Sequence, residues 1–161
     1  MKRRKLLQAI PFAIGSTILG STLAEAQATA PATASDIEKV AGIGGFFFRC
    51  QDRKALGLWY QQHLGIPMMP MKEDDPIWHQ EAGETVFATF SETSKYFDVG
   101  KPFMVNFRVR DMDKMAAQLK SAGIEVKVDP QIYPNGKFAH LHDPEGNPIE
   151  LWQPMGASAK G

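Results

Sequence analysis

Phe48-Arg49-Cys50-Gln51-Asp52 and Phe107-Arg108-Val109-Arg110-Asp111 superimpose at a constant offset of 59 residues, with Phe, Arg and Asp identical in both. Self-similarity at a fixed offset marks a repeated supersecondary unit. The flanks repeat too. An apolar run precedes each match, Ile43 to Cys50 and Phe103 to Val109. A helical stripe follows each: Leu56, Trp59, Tyr60 and Leu64 in the first copy, Met112, Met115, Ala116 and Leu119 in the second. Asp52 and Asp111 stand where an N-cap acceptor belongs. Gly65-Ile66 and Gly123-Ile124 place a glycine where a helix ends in the left-handed conformation.

The remainder of each copy reads as paired strands. Ile77 to Gln80 and Thr85 to Phe90 flank a turn at Gly83, while Phe138 to His142 and Ile149 to Gln153 flank Asp143-Pro144-Glu145-Gly146-Asn147. Asp-Pro opens a turn and Gly-Asn accepts a positive φ, so the second loop is a hairpin connection. The expected fold is α+β. Two βαβββ modules, 40–98 and 103–155, form one domain over 40–155, joined by a polar linker from Glu92 to Pro102 and followed by a short tail at 156–161. One copy has an apolar sheet face that it cannot bury alone. Two copies can share a curved mixed sheet with helices outside, and the concave face between them is a natural cavity.

With 161 residues, 43% of them hydrophobic, the chain can bury an ordinary single core. Lys2, Arg3, Arg4 and Lys5 hold four of its 18 basic residues, and from Gln27 onward 14 basic residues face 17 acidic ones, net −3. A mildly acidic domain lacks the field that gathers nucleic acid. The single cysteine, Cys50, has no internal disulfide partner and reads as a small buried apolar side chain.

Three stretches resemble motifs of the glyoxalase/bleomycin-resistance/extradiol dioxygenase (vicinal oxygen chelate) superfamily: Gly44 to Arg49, Leu58 to Ile66, and Asp143-Pro144-Glu145-Gly146-Asn147-Pro148-Ile149-Glu150-Leu151-Trp152. The resemblance implies a divalent metal held by one His, Glu or Gln from each of four strands, which would chelate vicinal substrate oxygens. The corresponding positions here are Gly45, Phe87, Met104 and Glu150. Glycine has no side chain, phenylalanine no donor, and methionine only a soft sulfur. No family-type metal and no other cofactor is therefore expected, a divalent metal at a displaced site being the alternative. Gly45, Phe87 and Met104 would instead make an apolar cavity floor. Phe47 and Trp152, which alternate with Gly45 and Glu150, would add aromatic walls.

Glu150 is the candidate catalytic or ligand-orienting group. A lone buried carboxylate needs a partner, and a ligand donor, backbone, Arg108 or Arg110 can supply one. His140 and His142 share one face of a strand. They form either a metal or acid/base cluster with Glu150, or exposed or edge-paired histidines. Two functions follow. One is a protein that binds a small organic molecule in the inter-module cavity. The other is a lyase, isomerase or dioxygenase with an atypical or displaced metal site, or a metal-free one. Homodimerisation is compatible with both.

The N-terminus reads as an export signal over 1–26, followed by a flexible tail over 27–39. A basic start precedes an apolar run from Ala9 to Leu23 and several A-x-A options. The run falls short of the ~20 apolar residues of a membrane-spanning helix, so the mature protein is expected to be periplasmic with no stable membrane span. Arg3-Arg4 resembles a twin-arginine signal, the alternative being a general secretory signal with a basic start. Changing both arginines to lysine should retain precursor in the cytoplasm, read by immunoblot of cell fractions. Unaltered periplasmic accumulation would exclude the twin-arginine route.

Overall fold

The computed structural model describes residues 38–160. The expected export signal, and the tail as far as residue 37, lie outside the described residues. Residues 38–45 belong to a separate compact unit, Met1–Gly45, and are exposed, without helix or strand. In the second unit the order is α1 (Arg53–Leu64), β1 (Val105–Arg108), α2 (Met112–Ser121), β2 (Lys127–Val128), β3 (Gly136–His142) and β4 (Pro148–Pro154), closed by a 3-10 turn over Gly156–Lys160.

Both helices start and stop where the repeat places them. The Asp52 carboxylate accepts the Lys54 and Ala55 N–H groups, and Asp111 accepts that of Lys114. Gly65 takes φ 71° and Gly123 φ 78°, a backbone that costs glycine no steric penalty. The N–H groups of Ile66 and Ile124 return to the carbonyls of Tyr60 and Leu119, which uses carbonyls otherwise orphaned at the helix ends.

The sheet is mixed and open, with four strands in the order β1-β4-β3-β2. β1 runs parallel to β4, and the other two pairings are antiparallel. Alternation along β4 sends Ile149 and Leu151 to one face and Glu150 and Trp152 to the other. The first face is the core, where Met112, Ala116 and Leu119 of α2 pack with Val109, Val126, Ala139, Leu141, Ile149 and Leu151. Each of the larger buried aliphatic side chains contributes about 1.5–3 kcal/mol relative to exposure. Trp59, Tyr60 and Leu64 of α1 join the same core from its edge.

The fold is thus α+β with one complete βαβββ unit, supplied by the second copy. The strands expected in the first copy, across Ile43–Cys50, Ile77–Gln80 and Thr85–Phe90, are absent among the described residues. Among the described residues those segments have no ladder partner, and β1 pairs only with β4. Two short strands alone are marginal in water. Ile77, Val86 and Phe87 consequently stay exposed instead of turning onto a shared sheet. Cys50, expected to be buried, is only partly covered.

The β3–β4 loop does more than turn the chain. Buried Asp143 accepts the backbone N–H groups of Glu145 and Asn147, the Asn147 side-chain amide and, at 3.0 Å, the Tyr60 hydroxyl of α1. Burial and the Asp143 charge push the Tyr60 phenol well above its ordinary value. The Glu145 carboxylate accepts the N–H groups of Gln51 and Asp52 just before α1. This loop therefore clasps the helix of the first copy to the sheet of the second. Tyr60→Phe removes one bond and should cost about 1 kcal/mol, whereas Asp143→Ala orphans several buried donors and should cost about 3 kcal/mol. Urea unfolding measures both, and equal small losses would contradict the clasp.

Candidate functional site

The sheet face opposite α2 carries the candidate site. Its register aligns Asn106 of β1 with Glu150 of β4, and Glu150 with His140 of β3. Three successive strands thus deliver three polar side chains to one row, the geometry in which cross-strand neighbours interact. Glu150 is only 5% exposed. Its Oε1 accepts the Asn106 amide at 2.6 Å, and its Oε2 meets the Tyr96 hydroxyl at 2.6 Å and His140 Nε2 at 3.0 Å. No buried side-chain polar atom among the described residues is left without a partner.

Burial alone would raise the Glu150 carboxyl. Hydrogen bonds from His140, Tyr96 and Asn106, with the His140 charge, outweigh burial and hold it below the ordinary carboxylate range. The Tyr96 phenol moves the other way. Burial, the hydrogen bond to Glu150 and the Glu150 charge all raise it, so it stays a neutral donor at physiological pH. His142, two residues from His140 and on the same face, meets Asp98 through Nε2 and Oδ2 at 2.6 Å. A cavity of ≈ 110 Å³ lies beside these groups, lined by Tyr96, Asp98, Met104, His140 and His142 with Phe97 and Pro148 among its apolar neighbours.

The sequence left open whether His140 shares a face with Glu150, and the register shows that it does. Arg108 and Arg110 are not the partners of Glu150. Arg108 donates to the carbonyls of Glu81 and Ala82, and Arg110 pairs with the Glu81 carboxylate. Met104 lines the cavity. Trp152 shares the face of Glu150 but is buried, with its indole N–H bonded to the Asn135 carbonyl at 2.8 Å and its ring stacked with Phe138. Phe47 and Phe87 are 88% and 87% exposed and do not line this cavity. Gly45 ends the first unit and is exposed.

Tyr96, Asp98 and Asn106 were missed from the sequence. Tyr96 and Asp98 sit in the stretch read as a linker, where composition carries no sign of tertiary contacts. Asn106 had a signal: it is the repeat-mate of Phe47 and alternates with Met104.

The residues present do not fit the family metal. Gly45 and Phe87 offer no donor, Met104 offers a soft thioether, and both Glu150 oxygens already accept protein hydrogen bonds. Among the described residues no three His, Cys, Asp or Glu side chains converge as a displaced site requires. No helix among them is long and apolar enough to cross a membrane. What the row can do is hold an imidazole in one orientation. A carboxylate on Nε2 leaves Nδ1 as the free nitrogen, an arrangement suited to proton transfer or to ligand hydrogen bonding.

The glyoxalase-like domain model matches residues 45–152, and the chain belongs to that family. An antibiotic-binding protein from Streptomyces sp. CB03234 is 37% identical over 32% of this chain and 41% of its own, with a TM-score of 0.30. A genomically encoded fosfomycin resistance protein from Listeria monocytogenes is 19% identical over 34% and 48%, at 0.31. A lactoylglutathione lyase from Agrobacterium tumefaciens is 16% identical over 77% and 99%, at 0.49. The first two alignments span less than half of the solved chains. Comparison with curated proteins gives no match.

The lowered Glu150 carboxyl has a pH consequence. Its ordinary value is 4.5, and a lower folded value means that it stabilises the fold above that pH and loses its contribution as pH falls through the folded value. Glu150→Gln lacks this group. Thermal melts of the two proteins should therefore differ most above the ordinary carboxylate range and converge as pH falls through the lowered folded value. A difference constant with pH would show that the charge of Glu150 is not what its donors hold.

Proposed function

We propose that this protein is an exported binder of a small organic molecule, that it acts without the family metal, and that its ligand sits on the sheet face of Met104, His140 and Glu150. The observation that carries the reading is the state of Glu150. At the one family position with donor chemistry, both carboxylate oxygens are engaged by Asn106, Tyr96 and His140, immediately beside a partly apolar cavity. A polar cluster next to an apolar wall is the pattern of small-molecule sites, in which a few polar groups orient a mostly apolar ligand. Export rests on the sequence of the first 26 residues.

One observation favours a second reading. The contact of His140 Nε2 with Glu150 is the geometry of an oriented general base. It supports a lyase or isomerase that moves a proton without a metal. The two readings separate under turnover: a binder returns its ligand unchanged.

Mature protein purified without a tag should carry well under one equivalent of transition metal by inductively coupled plasma mass spectrometry, and chelator should leave its melting temperature alone. A thermal-shift screen of small organic compounds should give hits that mass spectrometry recovers unaltered. A stoichiometric metal whose removal abolishes those hits would overturn the metal-free reading.

A further inference from the structure

Tyr96 reaches Glu150 from an unusual place. It belongs to the irregular segment Glu92–Pro102, which forms neither strand nor helix. Its side chain is nonetheless fixed on three sides. The hydroxyl donates to Glu150 Oε2 at 2.6 Å. The ring stacks on Phe90, with centroids 5.1 Å apart and planes 10° apart, and meets the edge of His140 at 6.1 Å. Asp98, two residues on, meets His142 at 2.6 Å. These contacts press the segment against the sheet, so that Tyr96 and Asp98 form one wall of the cavity and Met104, His140 and His142 another. Tyr96 itself remains 50% exposed.

The half-open cavity between them measures ≈ 110 Å³. Sites that take drug-sized molecules span about 300–1,000 Å³. With Tyr96 seated, the space admits only a fragment. With Tyr96 withdrawn, the cavity gains the volume of a phenol and opens directly onto Glu150, His140 and the Phe90 ring. The lining that then stands empty is one that already accommodates a hydroxyaryl group.

Resting on the binding reading above, we propose that Tyr96 is a displaceable internal occupant: its phenol fills the subsite that a hydroxyaryl group of the external ligand takes, and binding swings the Tyr96–Asp98 segment off the sheet. Hydrogen-bond accounting sets the selectivity. When Tyr96 leaves, Glu150 Oε2 keeps His140 and loses one donor. A ligand hydroxyl restores that bond, whereas a purely apolar ring leaves a buried acceptor short. The internal occupant also weakens apparent affinity, because only the fraction of molecules with the segment open can bind. Removing the occupant should therefore tighten binding without any change to the ligand.

The test uses p-cresol and toluene, which share a ring and a methyl group and differ in the hydroxyl, with the mature wild-type protein, Tyr96→Ala and Tyr96→Phe. Titration calorimetry should show p-cresol binding to wild type, and binding about tenfold tighter to Tyr96→Ala, the worth of about one hydrogen bond removed from the closed state. Tyr96→Phe keeps the ring but lacks the bond to Glu150. It should tighten p-cresol several-fold, and it preserves the packing on Phe90 should the alanine variant fail to fold. Toluene should bind each protein more weakly than p-cresol does. In wild type, saturation with p-cresol should move the Tyr96 ring resonances, followed by selective isotope labelling.

Three results would overturn the proposal: p-cresol binding to the variants but not to wild type at millimolar concentration, equal affinity for toluene and p-cresol, or Tyr96 resonances unmoved at saturation. If screen hits bind wild type while Tyr96 stays in place, the displacement mechanism fails and the binding reading stands. If neither wild type nor variants bind any screened compound, the binding reading itself fails.

Discussion

The carboxylate of Glu150 is almost fully covered, and a buried charge persists only when the protein supplies its hydrogen-bond donors. Here those donors come from β1, β3 and the irregular segment before β1. The demand fixes a good deal around it. Asn106 has to lie in register with Glu150 on one side and His140 on the other, as the ladder shows. The segment around Tyr96 has to cross the sheet face, which in turn brings Asp98 to His142 and supplies one wall of the cavity. A one-residue slip of β4 would turn Glu150 into the apolar core and Leu151 toward Asn106 and His140, so the polar row and the α2-facing core specify the same register.

A second polar device joins the two copies. Asp143 ties its own loop and reaches Tyr60, while Glu145 holds the N–H groups ahead of α1. The first copy adds no strand to the sheet, yet its helix is seated on the core of the second through Trp59, Tyr60 and Leu64. The loop motif that identifies the family at the level of sequence is therefore also the bolt between the halves. Its residues are selected by hydrogen-bonding demand at both ends, and a turn that only reversed the chain would need neither a buried aspartate nor a glutamate aimed at a helix start.

The helices, β1, β3 and β4 were legible because their signals are local, an apolar stripe or run bounded by an aspartate, a glycine or a turn, whereas the two-residue β2 was not read. Glu150 was singled out through the Asp143–Trp152 motif, while alternation along one strand could not say whether His140 shared its face, which the hairpin register fixes. Tyr96 and Asp98 were not, since contacts 54 and 44 residues away in sequence leave no periodic trace in a short irregular stretch. The first-copy strands were over-read for a related reason. Alternating apolar residues are competent for a strand, but a strand exists only with a partner, and β1 presents its bonded edge to β4 alone. Phe47 and Phe87 followed those strands to the surface. Trp152, expected to add an aromatic wall, shares the face of Glu150 but is buried. It packs on Phe138 and bonds Asn135, and so anchors the end of the hairpin.

The organising role assigned to Glu150 is most directly tested by carbon NMR titration of protein labelled at the glutamate carboxyl carbons, with the Glu150 signal assigned by its loss in Glu150→Gln. A carboxylate held by Asn106, Tyr96 and His140 titrates below its ordinary value of 4.5, and Tyr96→Phe, which withdraws one donor, moves that midpoint upward. A midpoint at or above 4.5 in the wild-type protein, indifferent to Tyr96→Phe, would contradict a site built on that carboxylate.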